Sequence, residues 1–204
     1  AFPFSSSFYL EEVGVLAQGE GGEEEEDGRG EAGSGRTVTG YRVAFGEHSL
    51  PFTRGRVNIP PGPLNEMDGF STLAPILFYL EGMSSSNLVG PGDPGASLSI
   101  NSTTWLIEVP TGELIPHFVE IDALDPEEPL AVLQPAQPLR HGTRHVVAVV
   151  GAEGAWGERL RQTPGFAELL EAVGADRETP VHPTLRARAR HFSRFVFPAL
   201  RKVG

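Results

Sequence analysis

Aromatic and apolar residues fall at alternate positions at the start of the chain: Phe2, Phe4, Phe8 and Leu10. A period of two suits an extended segment lying on a core. The pattern breaks at residue 11 and resumes at Thr37-Val-Thr-Gly-Tyr-Arg-Val-Ala-Phe45, which alternates and is β-branched at its start. Pro51 and the cluster Pro60-Pro61-Gly62-Pro63 then punctuate a loop. Asp68-Gly69 signals a tight turn before a strand over 73–80, with Pro75 at its edge or first position. Residues 82–98 are rich in Gly, Ser and Pro and read as a loop. Strands are expected over 103–109 and 114–121, joined as a hairpin by Pro110-Thr-Gly-Glu113. Two more follow at 130–133 and 145–150, with Pro138-Leu-Arg-His-Gly-Thr143 between them. Short strands at turn-punctuated spacing predict an antiparallel β-sandwich.

After Val150 the period changes. Thr163 and Pro164 open a helix whose stripe is Phe166, Leu169, Leu170 and Val173, and Gly174 ends it. A second helix is expected from near Pro183. Leu185, Ala189, Phe192 and Val196 face one way, and Arg186, Arg190 and Arg194 another. Pro198 should kink or end it. The predicted fold is therefore mainly β, with two C-terminal helices. The β-sandwich domain is assigned to 1–152, interrupted by a disordered acidic insertion over 11–36, and the helical extension to 153–204. No repeat of fixed period is present.

The insertion is placed on composition. Gly19-Glu-Gly-Gly-Glu-Glu-Glu-Glu-Asp27 cannot bury enough apolar surface to offset its ordering entropy. It holds much of a formal net charge of -11, which leaves the rest of the chain only mildly acidic. That balance argues against nucleic acid or an anionic membrane as partner. With 25 Gly and 18 Pro the chain favours a turn-rich β architecture. Cysteine is absent, which excludes disulfides, thiolate metal sites and cysteine nucleophiles. No apolar run approaches a membrane span. The chain opens on Ala1 without a basic and apolar leader, as expected of a processed or excised piece.

Few residues carry chemistry. There is no Gly-x-Ser-x-Gly elbow to place a serine on a strained strand-to-helix turn. Gly69-Phe-Ser-Thr-Leu73 begins like one, around Ser71, but ends in Leu. His141 and His145 are four apart on a turn and a strand, so they share no helical face for a metal. His117, between Pro116 and Phe118, reads as a hydrogen-bonded structural residue. Asp122, Asp125, Glu127 and Glu128 offer oxygen ligands suited to calcium or, equally, a solvated acidic loop. Asn101-Ser-Thr103 is an N-glycosylation sequon at a loop-to-strand boundary. The arginine face of the last helix is an anion-binding patch or a solvated face. No cofactor is implied. Phe195, Phe197 and Leu200 add apolar surface off the main stripe, so an exposed patch at Phe195 and Phe197 is expected as an interdomain interface.

One block carries a resemblance. Arg56-Val-Asn-Ile-Pro60, followed by Pro63-Leu-Asn-Glu-Met-Asp-Gly-Phe-Ser-Thr-Leu-Ala-Pro-Ile76, resembles the N-terminal domain of secreted bacterial virulence-factor-type lipases, as does the opening Phe2-Pro-Phe4. Leu114-Ile-Pro-His-Phe118 and the corner over 134–147 are similar to secreted Ig-like modules, including those of uncharacterised secreted proteins. His145 departs from that corner, where Tyr or another aromatic residue is usual. The resemblance implies an Ig-like β-sandwich ahead of an α/β-hydrolase domain that holds the catalytic serine. It implies an extracellular or cell-surface location, and as partner the downstream hydrolase domain of the same parent chain. On this reading the chain is not itself an enzyme. An adhesion or surface-display module with no enzyme attached is the alternative, and a free-standing hydrolase with a dispersed site is the third.

Overall fold

The computed structural model describes residues 10–12, 37, 40–122, 130–154, 156–174 and 188–204. The chain is mainly β, its sheets are antiparallel, and a helix closes it. It divides into two compact units, 2–76 and 77–204.

In the smaller unit, β1 (Leu10–Glu12) pairs antiparallel with β2 (Tyr41–Val43), Leu10 opposite Val43. A single helical turn, α1 (Gly62–Asn65), has Pro63 in its first turn, where a missing N–H costs nothing. Val43, Phe45 and Leu50 form the core, with Leu64 and Phe70 packed against it. The Phe45 and Phe70 rings meet edge to face at 6.1 Å. Glu11 and Glu12 thus belong to a strand and not to the expected insertion. The other residues of that insertion, and the opening Phe2-Pro-Phe4, lie outside the described residues.

The larger unit holds β3 (Ile76–Tyr79), a 3-10 turn (Pro94–Leu98), β4 (Thr104–Glu108), β5 (His117–Asp122), β6 (Leu130–Pro135) and β7 (His145–Val149). One sheet has the order β3-β6-β5, and β4 pairs with β7 in another. The alternation in the sequence becomes alternation in burial: Ala131, Leu133 and Pro135 of β6 are buried and their neighbours are not. The expected 103–121 hairpin is corrected. Its pairing stops at the Ile115 N–H, which donates to the Leu106 carbonyl. Pro116 has no N–H to continue the ladder. The Pro116 carbonyl instead accepts from Ala136, and β5 pairs with β6 from His117↔Pro135 to Asp122↔Leu130.

The helices are α2 (Pro164–Gly174), a π-helical stretch (Phe192–Val196) and α3 (Phe197–Val203). Pro198 neither ends nor breaks the run. It sits in the first turn of α3, directly after the wider π turn, which gives its ring room and absorbs its missing donor. Ile107 of β4, Val146 of β7 and Ala199 of α3 share one buried cluster, joined by Trp105, Val109, Val196, Leu200 and Val203. A short amphipathic helix is marginal alone, so its stripe settles on the nearest apolar sheet face. The two helices also meet, Phe166 against Phe192 at 6.2 Å.

Candidate functional site

The polar end of the β4–β7 ladder brings together Glu108, Arg140 and His145. Glu108 ends β4 opposite His145, the first residue of β7. Strand parity puts Glu108 on the side of Thr104 and Leu106, so its side chain turns inward and the residue is only 4% exposed. A carboxylate taken out of water needs partners. Arg140 supplies one at 3.1 Å, and the Thr111 hydroxyl donates at 3.3 Å. Arg140 itself is 63% exposed, so the pair is reachable from solvent. Around it opens a cleft of about 480 Å³ lined by Glu108, Glu113, Leu114, Gln137, Pro138 and Arg140. Burial lowers the pKa of His145, partly opposed by the negative charge of Glu108. Its Nε2 has no hydrogen-bond partner among the described residues.

The terminal helix adjoins this end. Lys202 donates from Nζ to the Val109 and Pro110 carbonyls, both at 2.9 Å, which ties α3 to the turn after β4. The Arg144 guanidinium lies 3.6 Å over the Phe195 ring and that of Arg194 at 5.0 Å. His191 stands 5.3 Å from the same ring, and burial together with the cations Arg144 and Arg188 lowers its pKa. The expectation of an exposed apolar patch at Phe195 and Phe197 is corrected. Phe197 is buried and touches Phe192 at 5.7 Å. Phe195 is half-buried with a cation on its face, so what it presents is a guanidinium–aromatic stack and not bare hydrocarbon.

The other sequence candidates are scattered. His117 is fully buried and bonded at both nitrogens: Nδ1 meets the Ile115 carbonyl at 2.8 Å and Nε2 the Thr104 hydroxyl at 2.9 Å. A carbonyl only accepts, so Nδ1 carries the proton and Nε2 accepts from Thr104. Its backbone N–H donates to Ser97 Oγ at 2.9 Å. Burial lowers the pKa of this histidine. Ser71 is exposed, and its oxygen accepts from the Leu73 N–H at 3.3 Å. His141 is exposed on the turn before β7. Asp122 ends β5, while Asp125, Glu127 and Glu128 lie outside the described residues. Asn101 is exposed on the turn before β4. Among the described residues no group of three His, Asp or Glu is placed to hold a metal ion. Among them, too, no helix is long and apolar enough to cross a membrane.

Sequence reasoning missed Glu108 and Arg140. The signal was there in part: Glu108 keeps the inward parity of Leu106 within a strand that is otherwise apolar or β-branched. It also missed Trp156, which is 93% exposed on a tight turn closed by the Glu153↔Arg159 bridge. Compared with known proteins, the chain matches no family model, no curated protein and no solved structure.

Proposed function

We propose that this chain is a non-catalytic Ig-like β-sandwich module of a secreted, lipase-like hydrolase, which packs on or shapes a downstream α/β-hydrolase domain outside the cell or at its surface. The sandwich reading is supported by two separate antiparallel sheets whose strands β4 and β5 meet through Thr104 and His117. The observation that carries the non-catalytic reading is that same contact. A hydroxyl 2.9 Å from an imidazole nitrogen has the spacing of an activated nucleophile, yet both residues are fully buried. Their hydrogen bonds hold strands together, and no substrate reaches them. The docking face on this reading is the end of the molecule where the Glu108–Arg140 cleft, the Phe195 stack and α3 lie. Charged and aromatic groups with partial exposure suit a polar interface between domains.

The isolated chain should hydrolyse short-chain esters at background rate and take no label from a fluorophosphonate probe. Turnover that disappears in Ser71→Ala would overturn the proposal. An adhesion or display module with no enzyme attached is the second reading, favoured by Trp156, since tryptophan is the residue type most enriched at binding hot spots. Reading the coding sequence beyond position 204 separates the two: a Gly-x-Ser-x-Gly followed by Asp and His supports the hydrolase, and its absence supports adhesion.

A further inference from the structure

Four asparagines occur in the chain, and three of them work as backbone clamps. Asn58 donates to the Glu47 carbonyl, Asn65 holds both the N–H and the carbonyl of Phe45, and Asn87 donates to the Gly151 carbonyl. Asn101 is the exception. Only its backbone N–H is engaged, by Ser99 Oγ at 3.2 Å, and its exposed side-chain amide bonds to no described residue. It is also the only one of the four followed by x-Thr.

Its surroundings are those of a surface that lacks a cover. Asn101 lines a cleft of about 320 Å³ with Asn87, Ile100, Val150, Gly151 and Arg159. Ile100 is 63% exposed and Val150 42%, so aliphatic side chains of the same cleft stand in water. The apolar face of a sugar ring packs on such side chains while its hydroxyls stay solvated, and Arg159 and Asn87 offer polar contacts beside them.

The third residue of the sequon behaves differently in the folded chain. Thr103 is buried, its hydroxyl donates to the Asn87 carbonyl at 2.6 Å, and its carbonyl accepts from the Val150 N–H. A transferase that must engage the Asn-x-Thr segment in extended form cannot reach that hydroxyl once β4 has paired with β7. We propose that Asn101 carries an N-linked oligosaccharide, attached before β4 pairs with β7, which in the folded chain lies over Ile100 and Val150. The proposal rests on the extracellular reading above, taken in a eukaryotic source and not the bacterial one of the resemblance, since only a chain entering a eukaryotic secretory compartment meets the transferase.

The test forces that entry. The full chain is translated behind a cleavable signal sequence into microsomes, and its mass is compared before and after treatment with an N-glycan amidase. One glycan is expected on the wild-type chain and on Thr103→Ser, and none on Asn101→Gln or Thr103→Val. A translocated wild-type chain without the glycan overturns the assignment. Because translocation is imposed, that result leaves the secretion reading standing, whereas esterase activity of the chain would remove the non-catalytic reading and leave Asn101 untouched. Timing is checked by offering the folded, unmodified chain to the solubilised transferase with its lipid-linked donor. The folded chain should stay bare while a peptide of residues 98–106 accepts the glycan, and equal modification of both overturns the order of events. Cover is read with a hydrophobic dye: the folded Asn101→Gln chain should bind more than the glycosylated one, and equal binding overturns the placement over Ile100 and Val150.

Discussion

The two compact units reach order by different means. In the larger, strands satisfy one another: five consecutive register pairs join β4 to β7 and six join β5 to β6. Apolar side chains then cover both faces of β4, Leu106 on one and Ile107 on the other, and both are fully buried. In the smaller, the paired strands span three residues each, and the cluster of fully or nearly buried apolar residues is Val43, Phe45 and Leu50. There a side chain replaces a ladder. Asn65 accepts from the Phe45 N–H at 2.8 Å and donates to its carbonyl at 3.0 Å, as a neighbouring strand would. The Met67 carbonyl accepts from Val43 in the same way. The lesson concerns the Pro63–Ile76 block. Its Leu-Asn pair supplies a core side chain, Leu64, and a backbone clamp, Asn65, from one helical turn. Packing and backbone pairing account for that Leu-Asn pair without a chemical role.

That contrast can be broken from either side. The largest effect should come from the ladder core: Ile107→Ala removes a fully buried side chain between β7 and α3 and should cost about 2–5 kcal/mol in a denaturant melt of the whole chain. A loss confined to α3 helicity, with the strands intact, would mean the tail and the sheet do not share a core. Next, Asn65→Ala removes the side-chain hydrogen bonds to the Phe45 N–H and carbonyl in part-buried surroundings, for about 1–3 kcal/mol. Amide exchange should show the loosening at Phe45 and Val43 and leave Val146 protected. Equal loosening at Val146 would make the clamp a global support and not a local one.

Gly112→Ala should have a smaller effect, somewhat above about 1 kcal/mol, since φ of +80° disfavours any side chain and the new methyl would meet the Lys202 stem. The accompanying readout is the tail: Lys202→Met should weaken α3 in the same direction by releasing the Val109 and Pro110 carbonyls. The smallest effect is that of pH. The folded pKa of His117 lies below the ordinary 6.5, so the unfolded chain binds the proton more readily. Stability should therefore be fully present above about pH 6.5 and decline as pH falls toward the folded value. His145 and His191 are lowered as well and add slope of the same sign. His117→Gln should flatten part of that slope, and an unchanged profile would assign the acid sensitivity to the other two.

Much of the strand pattern was legible because burial in a sheet has a period of two. Leu106, Val119, Leu133 and Val146 fall inward as their spacing predicts. The structural role of His117 was legible from its place in an apolar run. The candidate site was less so. Glu108 reads as a surface residue in any count of charges, and only its parity within β4 hints otherwise.

Local chemistry therefore settled where most of the strands extend and turn and where α2 lies, because period, proline and glycine act over a few residues; the short α1 and the 3-10 turn fell in segments that read as loops. Which strand each segment pairs with was decided in three dimensions. Pro116 denies β5 a ladder with β4, and the nearest complete set of donors and acceptors is on β6. The fate of Phe197 was decided there too. A stripe on a helix specifies that something apolar must cover it but not what, and here the uncovered face of β4 and β7 lay within the chain's own reach.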